Sequence, residues 1–452
     1  MDITTFTAEP IRLVIFAAVG IALLLFLIMK FKLHPVISMM ISAVVIGIGV
    51  GMPLDLVIST IEKGVGKTLQ NIALLIGLGS MFGGILEVSG GAQSIAQTLI
   101  KKFGQTKAEW ALGITGIVIG TTVFFEAGVV ILIPLAFSIA KSTNRSTLRY
   151  AIPLLAGLAA GYAFIPPSAA SVLVSNMLNV DLGIMLAVGI PTGIAATIIA
   201  GIIWGKYIGS KINTQLPKNV REIKDLDTSK LPNFVTVLII ILIPIFLILL
   251  KTISAYITFL APIQGILTFI GTPFIALTIS TLTAMYILGT RQGYTKEELK
   301  KILDRSLRPV GMILLVIACG GVIRWMLQDS GLGDIIGPWL EKSGLPLIIA
   351  AFLIAALVRV SVGSSIVAMT MSAGIMATMP ATAALSPLYL AAMCIAIGGG
   401  ATALSHVNDA GFWLVCSFLE IDEKTTLKSW TVMETLVGLS GLVIALLISI
   451  FA

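Results

Sequence analysis

Apolar residues run along this chain in blocks at about 12–30, 34–52, 69–88, 183–205, 233–250, 267–289, 309–327 and 431–451. A helix needs roughly 20 apolar residues to cross the hydrocarbon core of a bilayer, so each block reads as a membrane span. Two further stretches, 108–181 and 345–418, are equally apolar but are interrupted by Gly, Pro, Ser and single charges. Polar residues gather at 206–232 and 290–308, and both segments read as loops. The first, with Pro217 and a run of mixed charge, reads as a linker between two halves.

The halves resemble each other. Gly79-Ser-Met-Phe-Gly-Gly-Ile-Leu-Glu-Val-Ser-Gly-Gly91 lies over Gly320-Gly-Val-Ile-Arg-Trp-Met-Leu-Gln-Asp-Ser-Gly-Leu332 at an offset of 241. Amphipathic stretches ending in Gly104 and Gly344 follow these two segments, and amphipathic 55–68 corresponds to 297–308. The break at Pro166–Ser171 falls opposite His406–Gly411. Four features in one order predict a duplicated fold. The expectation is an all-α polytopic membrane protein of about ten transmembrane helices plus two re-entrant helical hairpins. The first repeat, 1–207, holds scaffold helices in 11–88, a hairpin in 108–141 and a broken helix in 148–181. A cytoplasmic linker, 208–232, leads to the second repeat, 233–452. That repeat holds scaffold helices in 233–328, a hairpin in 345–382 and a broken helix in 385–418. Five crossings per repeat is an odd number, so the second repeat enters the membrane inverted.

Composition agrees with the pattern. The 452 residues are 57% hydrophobic and 11% charged, against about 25% charged in a soluble domain. This excludes a cytosolic enzyme, a disordered tail and a nucleic-acid binder, despite a net charge of +7. With both termini outside, 22 of the 29 Lys and Arg fall in inner segments, five in outer ones, and Arg324 and Arg359 within apolar runs. That is a strong positive-inside bias, and the excess of base becomes a topology signal. Cys319, Cys394 and Cys416 all lie in apolar stretches and read as small buried hydrophobes, not as a disulfide or metal framework. Met1 to Pro10 carries two acids and no base, so no cleavable signal peptide is expected.

Charges at bilayer depth are costly, and each is a candidate for function. Glu126 sits in Thr121-Thr-Val-Phe-Phe-Glu-Ala-Gly128, with no base within 14 positions. At the tip of a hairpin it could carry a proton or touch substrate; the plainer reading is a carboxylate capping helix N–H groups. Arg359 opens Arg359-Val-Ser-Val-Gly-Ser-Ser365, where Ser364, Ser365 and free backbone N–H groups at a helix start suit a carboxylate. Its plainer reading is an Arg that snorkels or pairs with an acid. His406, Asn408 and Asp409 lie within four residues after Gly398-Gly-Gly400, the pattern of a broken helix that presents polar groups to a cavity. The corresponding Phe164-Ile-Pro-Pro-Ser-Ala-Ala-Ser171 offers only the hydroxyls of Ser168 and Ser171. Glu87, Asp329 and Arg324 stand near span ends, where structural pairing is expected.

Over nearly its whole length the chain resembles the gluconate permease family of bacterial carboxylate:proton symporters, which includes D-serine permeases. The matching stretches are Phe124-Phe-Glu-Ala-Gly128 with Pro134, Ser89-Gly-Gly-Ala-Gln93 and Arg359 through Ser365. The most specific are Ser405-His-Val-Asn-Asp-Ala-Gly-Phe-Trp413 and Trp430-Thr-Val-Met-Glu-Thr435. The resemblance implies membership of the ion transporter superfamily, a homodimer in the bacterial inner membrane, and an elevator-like shift of a transport domain. One departure stands out. The family's first break reads His-Gly-Phe-Leu-Pro-Pro-His-Pro-Gly-Pro, where this chain has Tyr162-Ala-Phe-Ile-Pro-Pro-Ser-Ala-Ala-Ser171.

The expected function is import of a small organic anion, gluconate or a related sugar acid, by proton symport without a cofactor or metal. Ser168, Ser171, Arg359, Ser364, Ser365, His406 and Asn408 are the expected substrate contacts. Glu126, Asp409 or His406 is expected to carry the proton. Rival readings are sodium coupling through Ser405, Asn408 and unwound carbonyls, or another carboxylate or D-amino acid as substrate. An intramembrane enzyme is opposed by the lack of His-Glu-x-x-His and Gly-x-Ser-x-Gly motifs. The chain also lacks an ATP-binding Gly-x-x-x-x-Gly-Lys motif, against a primary pump. Two broken helices favour alternating access over an open channel.

Overall fold

The computed structural model describes residues 9–214, 231–254, 257, 262–331, 345–407 and 409–452. Most of the expected linker (215–230), the segment around Lys342, and Asn408 lie outside the described residues.

Every regular element among the described residues is helical. The first half contains α1 (Pro10–Met29), α2 (Pro35–Val50), α3 (Leu54–Val88), α4 (Gly91–Phe103), α5 (Ala108–Gly120), α6 (Phe125–Thr143), α7 (Leu148–Phe164) and α8 (Ala169–Met177). It closes with α9 (Leu182–Lys211), which widens to a π turn over Thr197–Ile203. The second half contains α10 (Phe234–Ser254), α11 (Pro273–Gln292), α12 (Lys296–Asp329), α13 (Leu347–Val362), α14 (Ser365–Ala377), α15 (Pro387–Thr402), α16 (Ala410–Leu419) and α17 (Glu423–Ser449). Eight helices among the described residues are long and apolar enough to cross a membrane, or nine with α3, which bends by 41° between Gln70 and Ala73. The shorter apolar helices α2, α13, α14, α15 and α16 are each too short for that test.

The segment 290–308 is not the loop its polarity predicts. From Lys296 onward it is the first turns of α12. Thr295 starts that helix with a capping box, its Oγ1 accepting from the Glu298 N–H while Glu298 accepts from the Thr295 N–H. Satisfying both orphan donors lets a polar sequence remain helical outside the apolar span. The opening of the other polar segment is likewise helical, to Lys211.

Burial sorts the helices into layers. The apolar window of Leu148–Met177 is 89% buried within the protein, against 24% in Ile11–Ile28 and 28% in Phe234–Ser254. α1 and α10 therefore turn apolar faces outward, as a lipid-facing helix must, while α7 is a central helix. In lipid no hydrophobic drive holds helix on helix, so close backbone approach has to supply the packing. α5 and α7 achieve it with glycines: a Cβ built on Gly116 would meet the carbonyl of Leu154, and one on Gly157 that of Gly113. α15 is packed in the same way, with Gly400 on the backbone of Phe352 in α13 and Gly399 on Gly438 in α17.

The two longest helices, α3 and α12, run antiparallel. Gly64 packs on the backbone of Val322, and farther along Ser80 Oγ donates to the Ser306 carbonyl at 2.6 Å. Lys63 of α3 and Asp329 of α12 form an ion pair of 3.0 Å, with Thr60 adding a 3.2 Å hydrogen bond. At the other end Glu87 and Arg305 are electrostatic neighbours.

Candidate functional site

Four helices begin in the interior. The turn after α5 puts Phe124 at the N-cap of α6 and Glu126 in its first turn. Between α13 and α14, Gly363 takes the left-handed φ of +73 that lets the chain reverse. Ser364 then caps α14, its Oγ accepting from the Val367 N–H at 3.4 Å. Ser168 caps α8 after the Pro166–Pro167 break, accepting from the Ser171 N–H at 3.2 Å. Asp409 caps α16, its Oδ1 accepting from the Gly411 N–H at 3.0 Å. Each cap residue leaves neighbouring backbone N–H groups at the positive end of a helix dipole.

Three of these starts share one cavity of about 300 Å³. Glu126 comes from α6, Ser364 and Ser365 from α14, and Asp409 from the start of α16. Arg359, Tyr162, Thr402, Trp430 and Glu434 complete the polar part of the wall. A volume near 300 Å³ is at the lower end of ligand pockets, the scale of a small organic acid.

The charge in this wall is held rigidly. Arg359, only 4% exposed, donates through Nη2 to Oδ2 of Asp409 and through Nη1 to the Gly363 carbonyl at 2.9 Å. Ser405 donates its Oγ proton to the same Asp409 oxygen and accepts from Nε1 of Trp430 at 2.8 Å. The guanidinium is thereby oriented from the tip of one helix pair and from the break between α15 and α16. Its Nε is buried and has no hydrogen-bond partner among the described residues, and neither does Oε1 of Glu434. An unspent donor on a fixed cation beside three helix starts is an anion-binding arrangement, and a carboxylate fits it.

The other expected contacts are placed differently. Ser168 and Ser171 are buried and bonded to each other at 2.7 Å, and Ser168 also donates to the Tyr162 carbonyl at 2.6 Å. Ser168 lines a small neighbouring pocket, with Tyr162 and Phe124 on the wall between it and the main cavity. The His406 ring lies 3.1 Å from the Leu404 carbonyl and is not part of the cavity wall. A second cavity of about 420 Å³ opens between α3, α12 and the α5–α6 turn, and includes Phe124, Glu87 and Arg305. Asp329 has the structural partner expected of it; Arg324 is in no ion pair among the described residues, and its guanidinium lies 5.7 Å from the Trp325 ring. Glu109, which drew no attention in the sequence, pairs with Arg149 at 2.7 Å.

Glu434, Trp430 and Tyr162 are cavity residues to which sequence reasoning gave no role. Glu434 stands three residues inside the last apolar run, where an acid ordinarily marks the interface. The available signal was its four-residue spacing from Trp430, which places both on one helix face.

Comparison with known proteins bears on this geometry. The model of the GntP family permeases matches residues 12–451. The chain is 39% identical over 438 residues to the low-affinity gluconate transporter of Escherichia coli, covering 97% of this chain and 98% of that protein. It is 33% identical over 432 residues to the Gnt-II system L-idonate transporter of the same species, covering 95% and 97%. Among solved structures, the YdaH transporter of Alcanivorax borkumensis superimposes with a TM-score of 0.64 at 16% identity, covering 98% of both chains. MtrF of Neisseria gonorrhoeae does so with 0.63 at 19% identity, covering 86% and 84%. Both share the fold. Family and relatives are permeases, not enzymes, and this multi-pass membrane chain belongs to the GntP permease family.

Proposed function

We propose that this permease is a secondary active transporter that imports gluconate or a related sugar acid together with a proton. The observation that carries the reading is the buried Arg359, fixed by Asp409 and Gly363, with its Nε unspent and its side chain in the wall of a cavity bounded by three helix starts. In this reading Arg359 and the N–H groups and hydroxyls at Ser364 and Ser365 hold the carboxylate. Asp409 is committed to Arg359 and Ser405, so its part is to orient the cation. Tyr162 replaces one of the resembled family's histidines on the cavity wall and would tune which acid is accepted. The gluconate and L-idonate transporters among the relatives support a six-carbon sugar acid.

The proposal includes inverted repeats and an elevator-like cycle of a homodimer in the bacterial inner membrane, with both termini outside. The antiparallel contact of α3 with α12 supports the repeats. Shifting Gly64 forward by 241 gives position 305 and shifting Val322 back gives 81, next to the observed Ser80–Ser306 contact. The same shift carries the Lys63–Asp329 pair to within one residue of Arg305 and Glu87. The glycine-locked packing of α5 on α7, and of α13 on α15, supports a moving unit that carries both helix pairs and both breaks.

Uptake of labelled gluconate into proteoliposomes, with an inward pH gradient and no sodium, tests the reading. Accumulation abolished by a protonophore is expected. Lack of gluconate uptake, or uptake that requires sodium, would overturn it.

A further inference from the structure

We infer that Glu434 of α17 is the group that takes up the co-transported proton, with the Arg359–Asp409 pair as the fixed counter-charge. The inference rests on the proton-coupled reading above and deepens it.

Glu434 is 3% exposed, lines the cavity, and has an Oε1 without a hydrogen-bond partner among the described residues. α17 delivers it there by an irregularity: Leu427–Thr431 form a π turn just before it, a feature frequent at functional sites. That turn also places Trp430, which fixes Asp409 through Ser405. α17 packs on α15, α9, α7, α13 and α16. On these elements and at the adjoining break, the ionisable groups in the same wall are Arg359 of α13, Tyr162 of α7 and Asp409. Glu126 belongs to that wall too, but it is exposed. Arg149, Tyr150, Lys206, Tyr207, Lys211, Tyr389, Cys394, His406 and Cys416 stand outside it.

The charge balance then favours coupling. Arg359 is already matched by Asp409, so an incoming carboxylate is an excess negative charge, and an ionised Glu434 would be a second in the same desolvated space. Protonation of the Glu434 carboxylate from water on one side, with release on the other, removes one of the two. Substrate and proton then enter together, since each lowers the cost of the other. Asp409 does not serve this purpose because Arg359, Ser405 and the Gly411 N–H already occupy its oxygens.

The test is the gluconate Kd of the purified protein as a function of pH, for the wild type, Glu434→Gln and Glu126→Gln. For one linked proton, the wild-type and Glu126→Gln Kd should rise toward tenfold per pH unit on the alkaline limb, while Glu434→Gln stays flat and still binds. Proteoliposomes of Glu434→Gln should exchange gluconate but fail to accumulate it. A pH slope retained in Glu434→Gln and lost in Glu126→Gln would overturn the inference and move the proton to Glu126. Should Glu434→Gln fold poorly, proton uptake by Glu126→Gln on adding gluconate decides, measured beside the wild type with a pH indicator in weak buffer. Uptake approaching one proton per gluconate in both proteins supports the inference, and its loss in Glu126→Gln, or no uptake by either at any pH, overturns it. A wild type that binds no sugar acid at any pH would instead refute the transport reading itself.

Discussion

Arg359 is anchored twice before any substrate arrives, by Asp409 and by the Gly363 carbonyl. A lysine has no fork to reproduce both bonds while leaving a donor for a ligand. Arg359→Lys should therefore weaken gluconate binding by about 10- to 100-fold, the worth of one charge-assisted hydrogen bond, as read by equilibrium binding. Asp409→Ala is expected to be a stability variant first. It strands a buried guanidinium, which costs about 3–5 kcal/mol and should appear as a lowered thermal unfolding midpoint in detergent. A midpoint equal to wild type would mean that the pair is not a buried one. Tyr162→His restores a ring nitrogen at the cavity wall, and the ratio of affinities among sugar acids should change while the fold is kept. An unchanged ratio would remove Tyr162 from specificity.

The helices that build the site begin and end where local chemistry forbids continuation: the Gly363-Ser-Ser365 turn, the Pro166–Pro167 step before Ser168, and Asp409 at an N-cap. Such stops depend on a few neighbouring residues and were legible in the sequence. The polar segment at 290–308 misled because solvation and helicity are compatible once Thr295 and Glu298 cap the helix. Glu434 was not legible as a cavity residue, since its position depends on α17 meeting α13 and α15 far along the chain. Ser168 and Ser171, expected as substrate contacts, bond each other across the first turn of α8. At this scale the glycine contact of α5 with α7 is the sensitive joint. Gly157→Val would drive a branched side chain into the backbone of Gly113 and should cost about 1–3 kcal/mol by overpacking, with transport falling in parallel. Wild-type stability in that variant would show that the two helices separate freely.

Across the whole molecule, the proposed topology places the 290–308 end inside, on the distribution of base along the chain. In a cysteine-free background, a cysteine at Gln292 should react with an impermeant maleimide only after the inner face is opened, whereas one at Lys251 should react from outside. The reverse pattern would invert the topology. The central claim, however, is where the sugar acid sits, and an experimental structure at saturating gluconate addresses it most directly. The expected density lies in the cavity among Arg359, Ser364 and Ser365, with the carboxylate within hydrogen-bonding reach of the Arg359 guanidinium. Gluconate bound in the second cavity, between α3 and α12 beside Glu87 and Arg305, with the Arg359 cavity empty, would contradict the account.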